Sequence, residues 1–140
     1  MNENFKYSDV TERIIKGFFN VYNKLGSGFL EKVYENALMI ELGRLGLNCQ
    51  RQRKIDVYYE EFLVGEYYAD ILVNDVVIVE LKAAENLIAE HEAQLVNYLR
   101  GTDLEVGILL NFGKQPQFKR KVLTNEFKKN QTHQFDLKKS

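Results

Sequence analysis

The sequence has one cysteine, one proline and no long apolar run in its 140 residues. The lone Cys49 excludes an intrachain disulfide and a thiolate-rich zinc site, which fits a reducing compartment. With Pro116 as the only proline and no low-complexity segment, nothing resembles a linker, so we expect a single domain over residues 1–140. No segment approaches the ~20 apolar residues of a membrane span, and residues 1–9 lack the features of a signal peptide. We therefore expect a cytoplasmic protein without a membrane partner.

An excess of charge of one sign is also missing. The formal net charge of -1 excludes the broad cationic field of a nucleic-acid coat protein, so any site for a polyanion must be local. Basic residues gather at Arg51, Arg53 and Lys54, and again between Lys114 and Lys129. Two interpretations stay open for them: solvated strand edges with a charged tail, or a track for phosphates in which Arg51 and Arg53 bind substrate.

The spacing of apolar residues predicts helices and strands in alternation. The predicted helices cover Asp9–Leu25, Leu30–Leu45 and Ile88–Arg100, and the predicted strands cover Ile55–Tyr59, Phe62–Val73, Val76–Leu81, Val106–Phe112 and, with the weakest pattern, Phe118–Leu123. The strand-helix-strand succession after Val76 implies parallel pairing of its two strands. The fold class is therefore α/β, with a mixed β-sheet whose apolar strands are flanked by helices on both faces.

The first two helices carry recognisable ends. Ser8 or Asp9 is expected to cap the first helix, and Gly26 to end it. In the second helix, Leu30 and Val33 are expected on the apolar face, and Glu31 in the first turn suits the positive end of the helix dipole.

The third predicted strand ends in V-I-V-E-L-K-A, residues 77–83, where charges replace apolar residues. Glu80 and Lys82 are two residues apart on a strand, so their side chains point to the same face. If the two charges have only a structural role, they form a simple salt bridge with each other. The functional interpretation needs a third charge to join them.

Asp70, on the preceding strand, supplies that charge if the hairpin has the right register. A two-residue turn at Asn74 and Asp75 would place Asp70 opposite Val79 and leave Glu80 on the other face. A three-residue loop or a bulge places Asp70 opposite Glu80. We predict an odd-length loop or a bulge between Val73 and Val77, because only that register gathers Asp70, Glu80 and Lys82.

Two carboxylates held together on a rigid sheet suit a hard divalent cation, since Mg²⁺ binds one or two carboxylates, waters and phosphate oxygens. A neighbouring ammonium group can orient a water molecule or stabilise developing charge. The pattern is therefore that of a site for phosphoryl chemistry.

Asp70, followed by Glu80-Leu81-Lys82 after a helix that bears Glu31, resembles the PD-(D/E)xK nuclease superfamily. Ala69 stands where that pattern usually has proline. G-F-L-E-K-V-Y, residues 28–34, is further similar to the Gly-x-x-Glu-x-x-Tyr signature of a family of small PD-(D/E)xK nuclease-like proteins, and the likeness continues through R-Q-R, H-E-A-Q-L-V-N-Y-L and G-I-L-L-N-F-G. The resemblance implies a restriction-endonuclease-like core.

The resemblance also implies roles for individual residues. Glu31, Asp70 and Glu80 would hold metal, and Lys82 would position the attacking water. Tyr34, three residues after Glu31 on one helix face, would pack and donate a hydrogen bond that orients a carboxylate, and it is also a substrate-binding candidate. On the crossover helix, Gln94 would lie beside the lysine and Tyr98 near substrate. His91 joins the substrate-binding candidates, although a lone histidine more often packs or faces solvent.

The leading hypothesis is a Mg²⁺- or Mn²⁺-dependent nuclease that acts on nucleic acid, DNA more than RNA. Two alternatives stay open: a non-catalytic nucleic-acid- or partner-binding module that keeps the nuclease fold, and a dimeric enzyme similar to Holliday-junction resolvases. A homodimer is a further expectation, because such a small domain covers little of a duplex.

Overall fold

A computed structural model describes residues 6–129. Its elements are α1 (Ser8–Leu25), α2 (Glu31–Arg44), β1 (Cys49–Tyr59), β2 (Phe62–Val73), β3 (Val77–Lys82), α3 (Ala89–Arg100), β4 (Val106–Phe112) and β5 (Pro116–Val122). The predicted order of elements is confirmed, including the last strand. Within the described range, no helix is long and apolar enough to cross a membrane.

The first helix has the predicted extent but a different start. Tyr7, in a left-handed conformation with φ 55°, precedes the helix, and no side chain in the described range caps it, so the expected cap at Ser8 or Asp9 is wrong. The backbone carbonyl of Tyr7 accepts the N–H groups of Val10 and Thr11. Gly26 ends the helix as predicted, with φ 66°.

The second helix buries a narrower face than its sequence predicts. Leu30 is 80% exposed and Val33 is 39% exposed, so placing these two side chains on the apolar face is wrong. The buried face is formed by Tyr34, Leu38 and Leu42, which recur every four residues. Leu30 is still extended (φ -71°, ψ 154°), and its side chain therefore lies outside the helical stripe.

The five strands form one mixed sheet in the order β1-β2-β3-β4-β5. β3 and β4 pair in parallel through the crossover helix α3, as predicted, and the other neighbours are antiparallel. β1 begins at Cys49 rather than at Ile55, because its polar first half pairs with β2 as far as Val73. This mixed sheet with flanking helices confirms the predicted fold class.

Helices cover both faces of the sheet. On one face α1 and α2 pack against side chains that include Ile71, Val79 and Leu110. On the other face α3 packs Leu95 and Leu99 against residues such as Ile78 and Leu109. The end of β3 and the neighbouring part of β2 around Asp70 are therefore held between α2 on one side and α3 on the other.

The connection between β2 and β3 has the predicted odd length. Val73 pairs with Val77, which leaves three residues, 74–76, in the loop. Asn74 (φ 52°) and Asp75 (φ 59°) adopt the left-handed conformation that these residue types tolerate. The pairs Leu72–Ile78 and Ile71–Val79 follow, so Asp70 is next in register with Glu80.

Candidate functional site

The site begins where β2 and β3 stop pairing. The last ladder pair is Ile71–Val79, and beyond it the Asp70 carboxylate takes the place of a backbone acceptor. Its Oδ2 accepts a hydrogen bond from the backbone N–H of Leu81 at 2.8 Å. The strands thus separate around the Asp70 side chain, which is fixed between them.

Glu80 is the most electrostatically perturbed carboxyl group of this site. Its Oε1 is buried and has no hydrogen-bond partner among the described residues. The pKa of Glu80 rises from 4.5 to about 8, first because the carboxyl is buried and then because of the charge of Asp70 and a hydrogen bond with its side chain. The charge of Lys82 opposes this rise. Glu80 is therefore largely protonated at neutral pH when no cation is bound.

Lys82 interacts electrostatically with two carboxyl groups of the site, those of Glu80 and Glu31. It is half-exposed at the end of β3, in register with Asn111 of β4. Its positive charge lowers the pKa of Glu80 and also that of Glu31, so it lies within electrostatic reach of both carboxyl groups. The sequence prediction that Asp70, Glu80 and Lys82 converge is thus supported by the register and by these couplings.

Glu31 approaches the same site from α2, of which it is the first residue. Desolvation by burial, and to a smaller extent the charge of Asp70, raises the pKa of Glu31, whereas Lys82, His91 and a hydrogen bond from the backbone of Ala83 lower it. Glu31 is therefore electrostatically coupled to Asp70 and Lys82 on β2 and β3 and to His91 on α3.

His91 lies in the first turn of α3. Its Nδ1 accepts a hydrogen bond from the backbone N–H of Ile88 at 3.2 Å, which fixes the ring at the start of the helix. This acceptor role leaves Nε2 as the ring nitrogen available to a substrate. The electrostatic effect of His91 on Glu31 places it at the edge of the site.

Gln94 and Tyr98 share one face of α3, as their spacing predicts. Nε2 of Gln94 donates to the Tyr98 hydroxyl at 2.7 Å. Burial raises the pKa of Tyr98, followed by the charge of Glu80, which places this hydroxyl near the carboxyl pair. The α3 face that covers the site is therefore polar.

Tyr67 is a site residue that sequence reasoning missed. Its ring stacks on Tyr98 with centroids 3.5 Å apart and planes at 12°. Its hydroxyl is buried without a hydrogen-bond partner in the described part of the chain, and burial, followed by the charge of Glu80, raises the pKa of Tyr67. Its position three residues before Asp70 in Y-Y-A-D is the only trace of this role in the sequence.

Tyr34 packs in the core as expected, but its hydroxyl has other partners than the expected carboxylate. The side chain is fully buried, and its ring stacks on Phe112 at 4.1 Å. Its hydroxyl donates its one proton to the Gly26 carbonyl at 2.6 Å and accepts the Phe29 N–H at 3.2 Å. Because that proton is used and the ring is covered, the predicted substrate contact or hydrogen bond to a carboxylate is wrong. Tyr34 instead fastens the turn that leads into Glu31.

The two candidate arginines point to different surroundings. Nη1 of Arg51 donates to Asn36 Oδ1 at 2.6 Å and lies 4.0 Å from Glu35, which ties it to α2. Arg53 donates to the side chain of Gln50 and borders a cavity of about 800 Å³ whose lining includes neither Asp70 nor Glu80. The structure therefore does not gather Arg51 and Arg53 at the carboxyl pair.

Glu35 is a second residue that the sequence did not single out. It is 4% exposed, and its carboxylate accepts hydrogen bonds from Lys32 and Gln52, both at 2.8 Å. With Glu31 and Asp70 it lines a small cavity of about 170 Å³. Its spacing of one helical turn from Glu31 was the available signal.

The carboxylates of the candidate site meet part of what a divalent cation needs for binding. No three side chains of His, Cys, Asp or Glu in residues 6–129 form a metal-binding group, so the set of Glu31, Asp70 and Glu80 remains a prediction. Mg²⁺ needs only one or two carboxylates, with waters and phosphate oxygens completing its shell. The unpartnered Oε1 and the raised pKa of Glu80 mark a place where a positive charge would be stabilised. Asp70 and Glu80 therefore fit such an ion.

Comparison with known proteins gave one match. A family model described as the PD-(D/E)XK nuclease superfamily matches residues 8–122, a range that contains every residue of the site. No curated protein and no solved structure matches the chain.

Proposed function

Since the chain belongs to the PD-(D/E)XK nuclease superfamily, we propose that it is a Mg²⁺- or Mn²⁺-dependent nuclease that hydrolyses phosphodiester bonds, with DNA as the favoured substrate. One observation carries the proposal. Asp70 and Glu80 meet where β2 and β3 separate, and Oε1 of Glu80 is buried there without a partner among residues 6–129. A buried pair of carboxyl groups of this kind destabilises the fold unless protons or a cation neutralise it.

Asp70 and Glu80 would hold the ion, and Glu31 would add an oxygen directly or through water. When bound, the ion polarises the phosphoryl group and lowers the pKa of a coordinated water. Asp70 is already oriented for this by the Leu81 N–H. Glu80 must first lose its proton, so binding of the ion and release of that proton are coupled.

Lys82 would position the attacking water and stabilise charge on the phosphoryl oxygens. Its positive charge lowers the pKa of both Glu80 and Glu31, which supports this role. Three donors on a flexible stem suit it to hold a water molecule on one side and an anionic oxygen on the other. Gln94, on α3, would help to hold Lys82 in this position.

Substrate would approach along α3 and the first half of β1. His91 and Tyr98 would contact the nucleotide next to the scissile bond, and Arg51 and Arg53 would contact phosphates further along the strand. Contacts of this second kind contribute affinity that weakens with salt.

We also propose membership of the narrower Gly-x-x-Glu-x-x-Tyr family, because the signature has a physical basis in this structure. Gly28 has φ 108°, a conformation that favours glycine. Glu31 opens α2, and Tyr34 holds the turn through Gly26 and Phe29. Gly28 and Tyr34 of the signature would thus hold the turn that positions Glu31 at the start of α2.

A cleavage assay tests the proposal. The wild type is incubated with linear duplex, single-stranded DNA, four-way junctions and RNA, each with Mg²⁺ or Mn²⁺. We expect metal-dependent cleavage of DNA, and a loss on the order of 10²-fold or more in Glu80→Gln and in Lys82→Ala. Glu12→Gln, an exposed carboxylate of α1, is the matched control. Equal cleavage in all four proteins would contradict the proposal.

The cleavage assay, together with binding and sedimentation measurements, separates the alternatives. A strong preference for four-way junctions identifies a junction resolvase. Salt-dependent DNA binding without cleavage under any metal condition identifies a non-catalytic module. Sedimentation of the protein with and without DNA tests the expected homodimer.

A further inference from the structure

Asn111 is a buried amide inside an otherwise apolar strand. It lies in β4 between Leu110 and Phe112 and is fully buried. Its Oδ1 accepts the Ala84 N–H at 2.9 Å, and its Nδ2 donates to the Ala84 carbonyl at 3.0 Å. One side chain thus binds both backbone groups of a single residue, much as a neighbouring strand would.

Gln117, opposite Asn111 in the antiparallel ladder of β4 and β5, extends this arrangement. Its Oε1 accepts a hydrogen bond from Asn111 Nδ2 at 3.2 Å and another from the Leu87 N–H at 3.1 Å. The two amides therefore hold Ala84 and Leu87, near both ends of the segment 83–88 that joins β3 to α3.

Gly113 lets this segment approach the end of β4. A Cβ atom at Gly113 would lie 2.3 Å from the Ala84 carbonyl oxygen and 3.0 Å from Asn111 Nδ2. Any side chain would push the segment off the sheet. Asn111 and Gly113, at the end of the motif G-I-L-L-N-F-G, therefore both accommodate residues 83–88, whereas Phe112 between them packs in the core.

The segment held in this way connects Lys82 to α3 and interacts with Glu31 and His91. Its first residue, Ala83, follows Lys82 directly and supplies a backbone hydrogen bond to Glu31. Its last residue, Ile88, donates its N–H to His91. A displacement of the segment would move the Lys82 stem, the donor to Glu31 and the start of α3 together.

We propose that Asn111, together with Gln117, is a positioning residue of the site. It fixes the backbone of Ala84, so that the Ala83 N–H meets Glu31 and Lys82 projects toward Asp70 and Glu80. The inference rests on the proposed nuclease function for the roles of Glu31 and Lys82. Asn111 makes two hydrogen bonds to Ala84 in the connection and a third to Gln117, and each partner that is lost would leave a buried polar group unpaired.

The test compares Asn111→Leu and Gln117→Met with Asn20→Ala. Gln117 is half-buried, so its variant stays testable if Asn111→Leu fails to fold. Asn20 provides a control, since its amide also makes a hydrogen bond to another element, to Glu41 of α2 at 3.0 Å, but it lies on α1 and contacts no residue of the segment in the described hydrogen bonds. Amide hydrogen exchange of Ala84 and Leu87 reports the segment directly, independently of cleavage.

In Asn111→Leu we expect exchange of the Ala84 and Leu87 amides to accelerate by about 10-fold or more relative to the control, and in Gln117→Met mainly that of Leu87. We expect kcat to fall by roughly 10- to 100-fold while KM changes by less than about 2-fold, because misplaced groups affect the transition state more than substrate binding. If exchange and kcat in both variants match Asn20→Ala, the positioning role is wrong.

Mn²⁺ titration by calorimetry separates this inference from the proposed function. If the wild type cleaves nothing, the nuclease proposal fails, and the positioning role is then decided by Mn²⁺ affinity. Weaker Mn²⁺ binding in Asn111→Leu than in Asn20→Ala supports the positioning role, and equal or absent binding in both overturns it.

Discussion

The Asp70 carboxylate accepts the backbone N–H of Leu81 at 2.8 Å, at the point where β2 and β3 stop pairing. A side chain thereby completes the backbone hydrogen bonding that the separating strands would otherwise lose. A hydrogen bond to an ionised acceptor is also stronger than one between neutral groups. The same contact that satisfies the sheet therefore holds Asp70 next to Glu80.

The first prediction concerns stability as a function of pH. The pKa of Glu80 is about 8 in the folded chain, against an ordinary value of 4.5, so the folded state keeps a proton that the unfolded state releases. The stabilisation from that proton is complete below pH 4.5 and is lost as pH rises to about 8. We expect Glu80→Gln to raise the free energy of unfolding at pH 8 by an amount on the order of a few kcal/mol, and by much less at pH 5.

Urea unfolding without divalent metal, at both pH values, measures this difference. Glu12→Gln controls for the loss of one carboxylate from the surface. Equal effects of Glu80→Gln at pH 5 and pH 8 would show that the Glu80 carboxyl is not perturbed.

The second prediction concerns metal and thermal stability. A ligand that binds only the folded state at 100 times its Kd adds about 2.7 kcal/mol to the free energy of unfolding. We expect Mn²⁺ to raise the Tm of the wild type, more at pH 8 than at pH 6, since Glu80 must ionise to bind it. Thermal scans over a Mn²⁺ series check this. The rise in Tm should vanish in Asp70→Asn and persist in Glu12→Gln, and the reverse pattern would place the ion elsewhere.

The third prediction concerns Gly113. Because the Ala84 carbonyl oxygen lies only 2.3 Å from its Cβ position, Gly113→Ala must displace backbone, and we expect a loss of about 1–3 kcal/mol in the free energy of unfolding. Gly43, near the end of α2, has no atom of another described residue within 4 Å of its Cβ position beyond its chain neighbours and the backbone of its own helix. Gly43→Ala should therefore stabilise the protein by about 0.5–1 kcal/mol. Denaturant unfolding compares the two, and similar effects would argue against a close approach at Gly113.

The fourth prediction concerns salt-dependent DNA binding. The Arg53 guanidinium bonds to the neutral side chain of Gln50, whereas the Lys54 ammonium is 3.1 Å from Glu66 and 3.7 Å from Asp56. Arg53 is thus the better placed of the two to meet a phosphate. We expect Arg53→Ala to reduce the slope of log K against log salt by about 0.9, and Lys54→Ala to leave it nearly unchanged. Fluorescence anisotropy at several salt concentrations measures both slopes, and identical slopes in the wild type and Arg53→Ala would remove Arg53 from the interface.

The register of Asp70 and Glu80 was predictable from the sequence, because the two side chains lie either on the same face of the sheet or on opposite faces. Only a loop of odd length, or a bulge, puts the two carboxylates on the same face. The separation of β2 and β3 was not predictable, since it depends on a side chain replacing a backbone acceptor. Leu30 and Val33 were placed on the wrong face for a related reason. Apolar spacing alone does not show that the chain is still extended at Leu30.

Asn111 and Tyr67 show a second limit of the sequence. A lone amide in the run G-I-L-L-N-F-G must find hydrogen bonds if it is buried, which was a usable signal, but its partners lie 27 residues earlier at Ala84. Tyr67 gave no comparable signal, because an aromatic residue on a strand suits any half-buried surface. Both roles depend on contacts between elements that are far apart in the chain.

The order of strands in the sheet has a consequence for folding. Each of the five described strands pairs with the one that follows it in the chain, so none of these five has to enter between two that are already joined. The pairing of β3 with β4 is the one step among the described strands that must close around a helix, α3. Because its longer loop costs more conformational entropy, we expect that step to set the rate at which the sheet assembles. We expect the hairpin of β1 and β2 to form early during synthesis.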